Sequence, residues 1–414
     1  MSRFPSLLRY ALPGLPLAAL GLPFYIYAPL WLAEQGGYGY TLVGAVFFIA
    51  RFSDVLTDLP VGVAVDRWGI RRRFWLLAWG LVAGSALALM YLPHPWPAGL
   101  LALALVALML GWTGINVPWL ALPVWLSRDH SDRLAYNSAR EAMLLFGTLL
   151  AMVAPSVLPS SILHLVLPPL LTLLLLAVWV QGRHLAPPSS AKAGNFASLL
   201  VDRRVAQLAL PWFINMLANA IPGSILVLFM REVLGAESLI PVALLSYFLA
   251  GLVGVPFWYM LARRWGDLLT WRIGLLSSAV LFSFAALLGE GQAGWFIAIS
   301  IGTGLALGAD QAIPSAMQTG LAQSLMAERG GDAIAARLFA LWSLLSKAAM
   351  GLAVGIAYLW LGSSVNPEAQ QTVPPDWAIS AAYVLAPVVL KLAVFSMLGR
   401  SNIKQQWGGL NYAG

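Results

Sequence analysis

Twelve stretches of this 414-residue chain are long and apolar enough to cross a lipid bilayer, and that limits what it can fold into more than any other feature. A crossing helix needs about 20 mostly apolar residues. Stretches of that kind run near 10–33, 39–64, 74–92, 98–126, 136–155, 161–180, 205–231, 238–261, 270–289, 293–320, 333–360 and 377–398. The first run is too long for a signal-peptide core and is followed by further spans, so it reads as an uncleaved first helix. The expected fold class is an all-α integral membrane protein with twelve transmembrane helices.

Composition removes most other classes. Only 10% of the residues are charged and 60% are hydrophobic, where a soluble domain carries about 25% charged residues. There is no cysteine, which excludes disulfides and thiol chemistry. The four histidines, His94, His130, His164 and His184, are not spaced as a metal pair on a helix. No cofactor is expected, and no nucleophile, base and acid set marks an enzyme acting on lipid-linked substrates. The net charge of +7 comes from short basic clusters between apolar runs. A nucleic-acid partner would want a continuous basic face instead.

Those clusters set the topology. With a cytoplasmic amino terminus, 20 of the 24 Lys and Arg residues fall on the inner side and Arg231 alone on the outer side. A multi-pass protein of a bacterial-type inner membrane is expected, with both termini cytoplasmic. The other three basic residues, Arg51, Lys347 and Lys391, lie within spans. Lys391, within about ten residues of the cytoplasmic end of its helix, is expected to snorkel there. Lys347 sits near the middle of the eleventh span and has no such escape.

The chain also repeats faintly. VDRWGIRRR after the second span has a counterpart in ARRWGDLLTWR after the eighth, 197 residues on when Trp68 is set on Trp265. Between the sixth and seventh spans lies the basic, Pro- and Ser-containing segment QGRHLAPPSSAKAGNFASLLVDRR. The expected organisation is a six-helix bundle over 1–182, a cytoplasmic linker over 183–204, a second six-helix bundle over 205–400 and a tail over 401–414. Runs such as ALPGLPLAALGLP and ISIGTGLALGADQAIPSAM are rich in Gly and Pro. Ordinary membrane packing accounts for any one of these residues, but their concentration favours helices that bend and slide.

The second span carries RFSDVLTDLP, residues 51–60. At 100° per residue, Arg51, Asp54 and Asp58 fall within about 60° of one another on one stripe. Facing lipid would cost about 2.5–3.5 kcal/mol for each charged residue. The stripe should therefore face the protein interior or a water-filled cavity. One arginine neutralises one aspartate, so the surplus charge must meet Lys347, a proton or a metal cation. Sodium would take oxygens from Asp54, Asp58, the Thr57 hydroxyl and Thr113 of the fourth span. A proton would need only one carboxylate. The bland alternative is a charge network that merely ties the second and eleventh helices.

Other polar residues within spans are candidates for a solute cavity. Thr113, Asn116 and Trp119 lie on or near one face of the fourth span. Tyr25 and Tyr27 of the first span are placed with them. Asp310 is an isolated acid in the tenth span, and Arg140 with Glu141 marks the inner end of the fifth, as plain topology charges or as an inner gate. For closing the cytoplasmic side we expect Asp66, Arg67, Arg71, Arg264 and Asp267 in the two RWG loops, basic residues pairing with helix ends and with the two acids.

These residues resemble the glycoside-pentoside-hexuronide:cation symporter family, the melibiose-permease-like branch of the major facilitator superfamily. The similarity spans the twelve-helix plan and is sharpest from Leu17 to Trp75. The family's intramembrane arginine and two aspartates are matched by Arg51, Asp54 and Asp58. Its polar residue before the second aspartate is matched by Thr57, its cation-site threonine by Thr113, its helix-eleven lysine by Lys347 and its substrate-contacting arginine by Arg140. A monomer is expected, with lipid as a further partner. The resemblance implies alternating access, with a small organic solute moved together with Na⁺ or H⁺. It also implies departures. The acids that grip sugar hydroxyls in the family's sugar carriers correspond here to Ala18 and Asn116, and the stacking tryptophan to Leu120, with Trp119 beside it. Without those charge-assisted acceptors a galactoside is not the expected solute. Lysophospholipid carriers of the same branch keep an amphiphilic solute in view. An uncoupled uniporter and a non-transporting sensor are the rival readings.

Overall fold

The computed structural model describes residues 4–19, 32, 36–38, 40–68, 72–92, 95–157, 199, 201–328, 334–364 and 374–400. Its regular structure is helical throughout: α1 (Phe4–Ala11), α2 (Tyr40–Trp68), α3 (Arg72–Tyr91), α4 (Ala98–Ala121), α5 (His130–Val157), α6 (Arg203–Leu228), α7 (Ile240–Trp265), α8 (Asp267–Ser283), α9 (Ala293–Glu328), α10 (Ala335–Ser364) and α11 (Ala386–Leu398). Among the described residues seven helices are long and apolar enough to cross a membrane. The predicted sixth span, 161–180, and most of the first lie outside the described residues.

Contacts divide the chain into two units. The first gathers Met1–Arg128, Ala142–Leu199 and Leu321–Leu344, and the second Asp129–Glu141, Leu200–Gly320 and Leu345–Gly414.

In the first unit, helices meet where a side chain is missing. A Cβ on Gly111 of α4 would stand 2.6 Å from the Ala78 carbonyl oxygen of α3. One on Gly147 of α5 would stand 2.1 Å from the Leu15 carbonyl oxygen. Gly62 of α2 is pressed in the same way on Ala336 and Ala340 at the start of α10. Small residues of this kind let backbones approach, and in lipid that close packing replaces much of the hydrophobic drive. The inner face of α4 is filled by Leu101, Leu105 and Met109.

The second unit uses the same device more heavily. A Cβ on Gly254 of α7 would lie 2.4 Å from the Leu305 oxygen, and one on Gly304 of α9 would lie 2.3 Å from the Tyr247 oxygen. Gly308 meets Val255 N of α7, and Gly274 of α8 meets Ala309 of α9. The Trp258 indole N–H adds a 2.7 Å bond across the α7–α9 seam to the Leu305 carbonyl. Between α7 and α8 the chain reverses at Gly266, whose φ of +83° is one that L side chains rarely adopt. Two short π-helical stretches, Phe229–Val233 and Ala381–Leu385, follow α6 and precede α11. They meet through Phe229 and Tyr383, stacked at 4.1 Å between ring centroids.

Candidate functional site

Asp54 and Asp58 are 2% and 0% exposed, whereas Ile49, Phe52 and Leu56 of the same helix are each more than half exposed. This is the reverse of a water-soluble amphipathic helix, with apolar side chains outward and acids inward, as a lipid solvent demands. The acids meet α4 at Thr113, itself 1% exposed. The Thr113 hydroxyl lies 2.8 Å from Asp54 Oδ1 and 3.1 Å from Asp58 Oδ1. A hydroxyl has one proton to donate, so it serves one carboxylate at a time while its oxygen faces both. Three of the four predicted cation ligands thus converge. The fourth, Thr57, donates its hydroxyl to the Asp54 backbone carbonyl at 3.2 Å. Its lone pairs remain for an acceptor role.

Arg51 lies in α2 on the predicted stripe, but its side chain is outside the described residues. Lys347 of α10 is half-buried and belongs to the second unit. One residue before it, the Ser346 hydroxyl accepts the Trp212 indole N–H at 2.9 Å.

Among the expected cavity residues, Trp119 is 1% exposed and its indole N–H donates to the Tyr10 carbonyl at 2.8 Å. The two rings are tilted together at 5.9 Å. What Trp119 can offer a solute is ring surface only. Asn116 and Ala18 are half-buried, and Tyr25 and Tyr27 lie outside the described residues. Arg140 is 1% exposed and clasps Glu141 Oε1 through Nη2 at 2.7 Å and Nε at 3.1 Å.

Lys391 corrects the expectation of snorkelling. It is 5% exposed, and its Nζ contacts Asp310 Oδ2 at 2.5 Å and donates to Asn215 Oδ1 at 3.2 Å. A buried acid on α9 outweighs the pull of the interface, because each charge would otherwise be left alone in a low dielectric. Asp310 is accordingly engaged inside the second unit: its other oxygen accepts the Trp271 indole N–H at 3.2 Å.

At the helix ends, Asp66 and Asp267 each bind the start of another helix. Asp66 accepts the backbone N–H groups of Ala336 and Arg337, each at 3.0 Å, with Arg337 Nε 3.5 Å away. It therefore caps α10 from another helix, supplying the negative group that a helix N-terminus lacks. Asp267 at the start of α8 holds His130, the first residue of α5, with Nε2 2.9 Å from Oδ1. Arg67 and Arg264 are exposed, and Arg71 is outside the described residues. His130 and Arg337 were missed by the sequence reading. A histidine opening a helix was the available signal for the first.

Replacing Asp66 with Ala should uncap α10 at a cost of about 1 kcal/mol. Faster amide hydrogen exchange at Ala336 and Arg337 would register it. Burial pushes the Asp66 carboxyl from 3.8 up to about 6, against the lowering by the two N–H groups and Arg337. With the folded value above the unfolded one, this group's stability contribution is full below about 3.8 and is lost as pH rises through about 6. Asp66→Asn should remove that slope from the pH dependence of thermal unfolding.

Comparison with known proteins agrees with the helical membrane architecture. The chain is similar to a bacterial homologue of the iron transporter ferroportin in an outward-facing state, with a TM-score of 0.72 at 15% identity over 97% of this chain and 98% of that one. It is also similar to the E. coli fucose:proton symporter FucP, with a TM-score of 0.66 at 14% identity over 96% and 98% of the two chains. At these identities the likeness carries the fold alone. An uncharacterized symporter of Synechocystis sp. is 28% identical over 158 residues, which is 34% of this chain and only 28% of that relative's length. The profile of the family described as MFS/sugar transport protein matches residues 9–405, nearly the whole length, and the chain belongs to that family of multi-pass membrane transporters.

Proposed function

We propose that this chain is a cation-coupled symporter, moving a small organic solute with Na⁺ or H⁺ across a bacterial-type inner membrane by alternating access. Membership of its family makes it a secondary active transporter, not an enzyme. The observation that carries the coupling is the convergence of two buried carboxylates of one membrane helix on the Thr113 hydroxyl. Oxygens from Asp54, Asp58 and Thr113 are the ligand type a hard monovalent cation takes, and either carboxylate can take a proton instead.

This reading carries the finer assignments with it. The chain is a melibiose-permease-like member with twelve spans in two six-helix halves and cytoplasmic termini, working as a monomer. Arg51, Lys347 and Arg140 take the roles the resemblance implies. Ala18 and Asn116 stand where sugar carriers of that branch have acids, so the solute is less polar than a galactoside or carries negative charge.

Uptake into proteoliposomes, screened over sugars, organic anions and short-chain lysophospholipids, tests the reading when each solute is offered with a Na⁺ gradient, a pH gradient or neither. Accumulation that depends on one gradient is the expected result. Uptake indifferent to both would mark a uniporter, and ligand binding without flux would mark a sensor.

A further inference from the structure

Four helices of the second unit each send one polar side chain to a single buried point: Asn215 from α6, Trp271 from α8, Asp310 from α9 and Lys391 from α11. All four are at most 7% exposed at the side chain or buried outright. An ionisable residue at membrane depth is retained at a cost, and where no lipid-facing escape is used it marks an ion or proton route more often than a bolt. Two features of this cluster bear on its role. Lys391 Nζ has a second, neutral acceptor in Asn215 Oδ1. Asn215 itself is fully buried, and its Nδ2 has no hydrogen-bond partner among the described residues.

We propose that Asp310 and Lys391 form a proton-exchange site of the second unit, separate from the Asp54–Asp58 cation site, in which Asn215 holds the lysine ammonium while Asp310 carries the proton. The step adds one proton to Asp310 Oδ2 and breaks the Lys391 N–H···O contact. The ammonium keeps its own protons and remains on Asn215 Oδ1. Loss of that proton to water restores the ion pair. Trp271 keeps Oδ1 of Asp310 fixed throughout, so the proton is directed to Oδ2. The charged or titratable groups facing Asp310 are Lys391 from α11 and the Tyr247 phenol from α7, while α6 and α8 contribute the uncharged Asn215 and Trp271. An ammonium carries three donors, so a fixed bolt would use a second acceptor as well. What a site that opens and closes requires is that this acceptor be neutral, so that it still holds the ammonium when Asp310 has taken the proton, and Asn215 Oδ1 meets that requirement.

The inference rests on the coupled-transport reading, but its test needs no solute. The full chain in liposomes is titrated with buffer protons while the carboxylic-acid C=O band is followed by infrared spectroscopy. Asp310→Asn alone strands the Lys391 charge and endangers the fold, so the double variant Asp310→Asn with Lys391→Met is used, because an apolar replacement of a whole buried pair is well tolerated. Asp66 and the Asp54–Asp58 pair add carboxyl bands of their own, so the signal read is the titrating component that the wild type and Asp58→Asn show and the double variant lacks. Asn215→Leu leaves the ion pair intact and removes the second acceptor. Its titration midpoint should move to lower pH by about one unit, a tenfold change in proton affinity. A double variant whose titrating bands equal those of the wild type in full, or a midpoint of that component unmoved in Asn215→Leu, overturns the proposal and leaves the pair as a structural tie. If the double variant fails to fold, Asn215→Leu decides. Failure of the coupled reading would show elsewhere, as uptake indifferent to both gradients.

Discussion

Asp58→Asn should abolish cation-stimulated uptake while leaving the protein folded. The substitution keeps size and shape but removes one of two negative charges that stand around a single hydroxyl in a buried site. Interactions of charged groups of this kind are worth up to about 3 kcal/mol, which is a loss of roughly a hundredfold in cation affinity. Folding should not suffer, because removing one of two adjacent buried acids relieves repulsion. Thr113→Val should reproduce part of the loss, since it deletes the shared oxygen without changing volume, and Thr113→Ser should restore it. The measurements are uptake with and without the driving gradient, together with the shift in melting temperature on adding Na⁺. Unchanged stimulation in Asp58→Asn would remove the acid pair from the coupling mechanism and leave it as a helix tie.

The second large effect concerns the α7–α9 seam. Gly304→Val should prevent stable assembly of the second unit, because even the first added carbon would sit 2.3 Å from the Tyr247 carbonyl oxygen. The obstacle is backbone, which cannot turn aside as a flexible side chain would. Overpacking typically costs 1–3 kcal/mol, and a rigid backbone contact belongs at or above about 3 kcal/mol. Gly254→Val, on the facing helix at 2.4 Å from the Leu305 oxygen, should behave alike. Gly294→Ala is the control, since nothing described lies within 4 Å of its added carbon. Yield of monodisperse protein and thermal unfolding in detergent report the difference. Normal folding of Gly304→Val would mean that the two helices part easily.

The residues behind these two expectations separate what local pattern carries from what it does not. The acid stripe of α2 was legible because its spacing alone puts Asp54 and Asp58 on one side, and the cost of charge in lipid fixes which side that is. Thr113 was legible through the family resemblance and as a polar residue on a face of the fourth span. The Gly-rich runs were legible as a class, yet Gly304 and Gly254 could not be told from Gly294, because only the position of a facing helix makes a missing Cβ necessary. Lys391 was misread because its distance from the helix end was visible, while the acid that captures it lies 81 residues earlier. Asp66 was expected to act through basic partners. Its carboxylate meets one, Arg337, and beside it the free N–H groups at a helix start 270 residues away.

The sequence by itself determined that this is a helical membrane protein, where most of its spans run, and which face of α2 turns inward. Those follow from transfer free energies that add residue by residue along a helix, so that order and composition are enough. Only the tertiary structure decided which buried charge meets which, which glycine is indispensable and which acid caps α10. Such pairings depend on the through-space approach of helices far apart in the chain, where a shift of a few ångströms exchanges a hydrogen bond for an isolated charge.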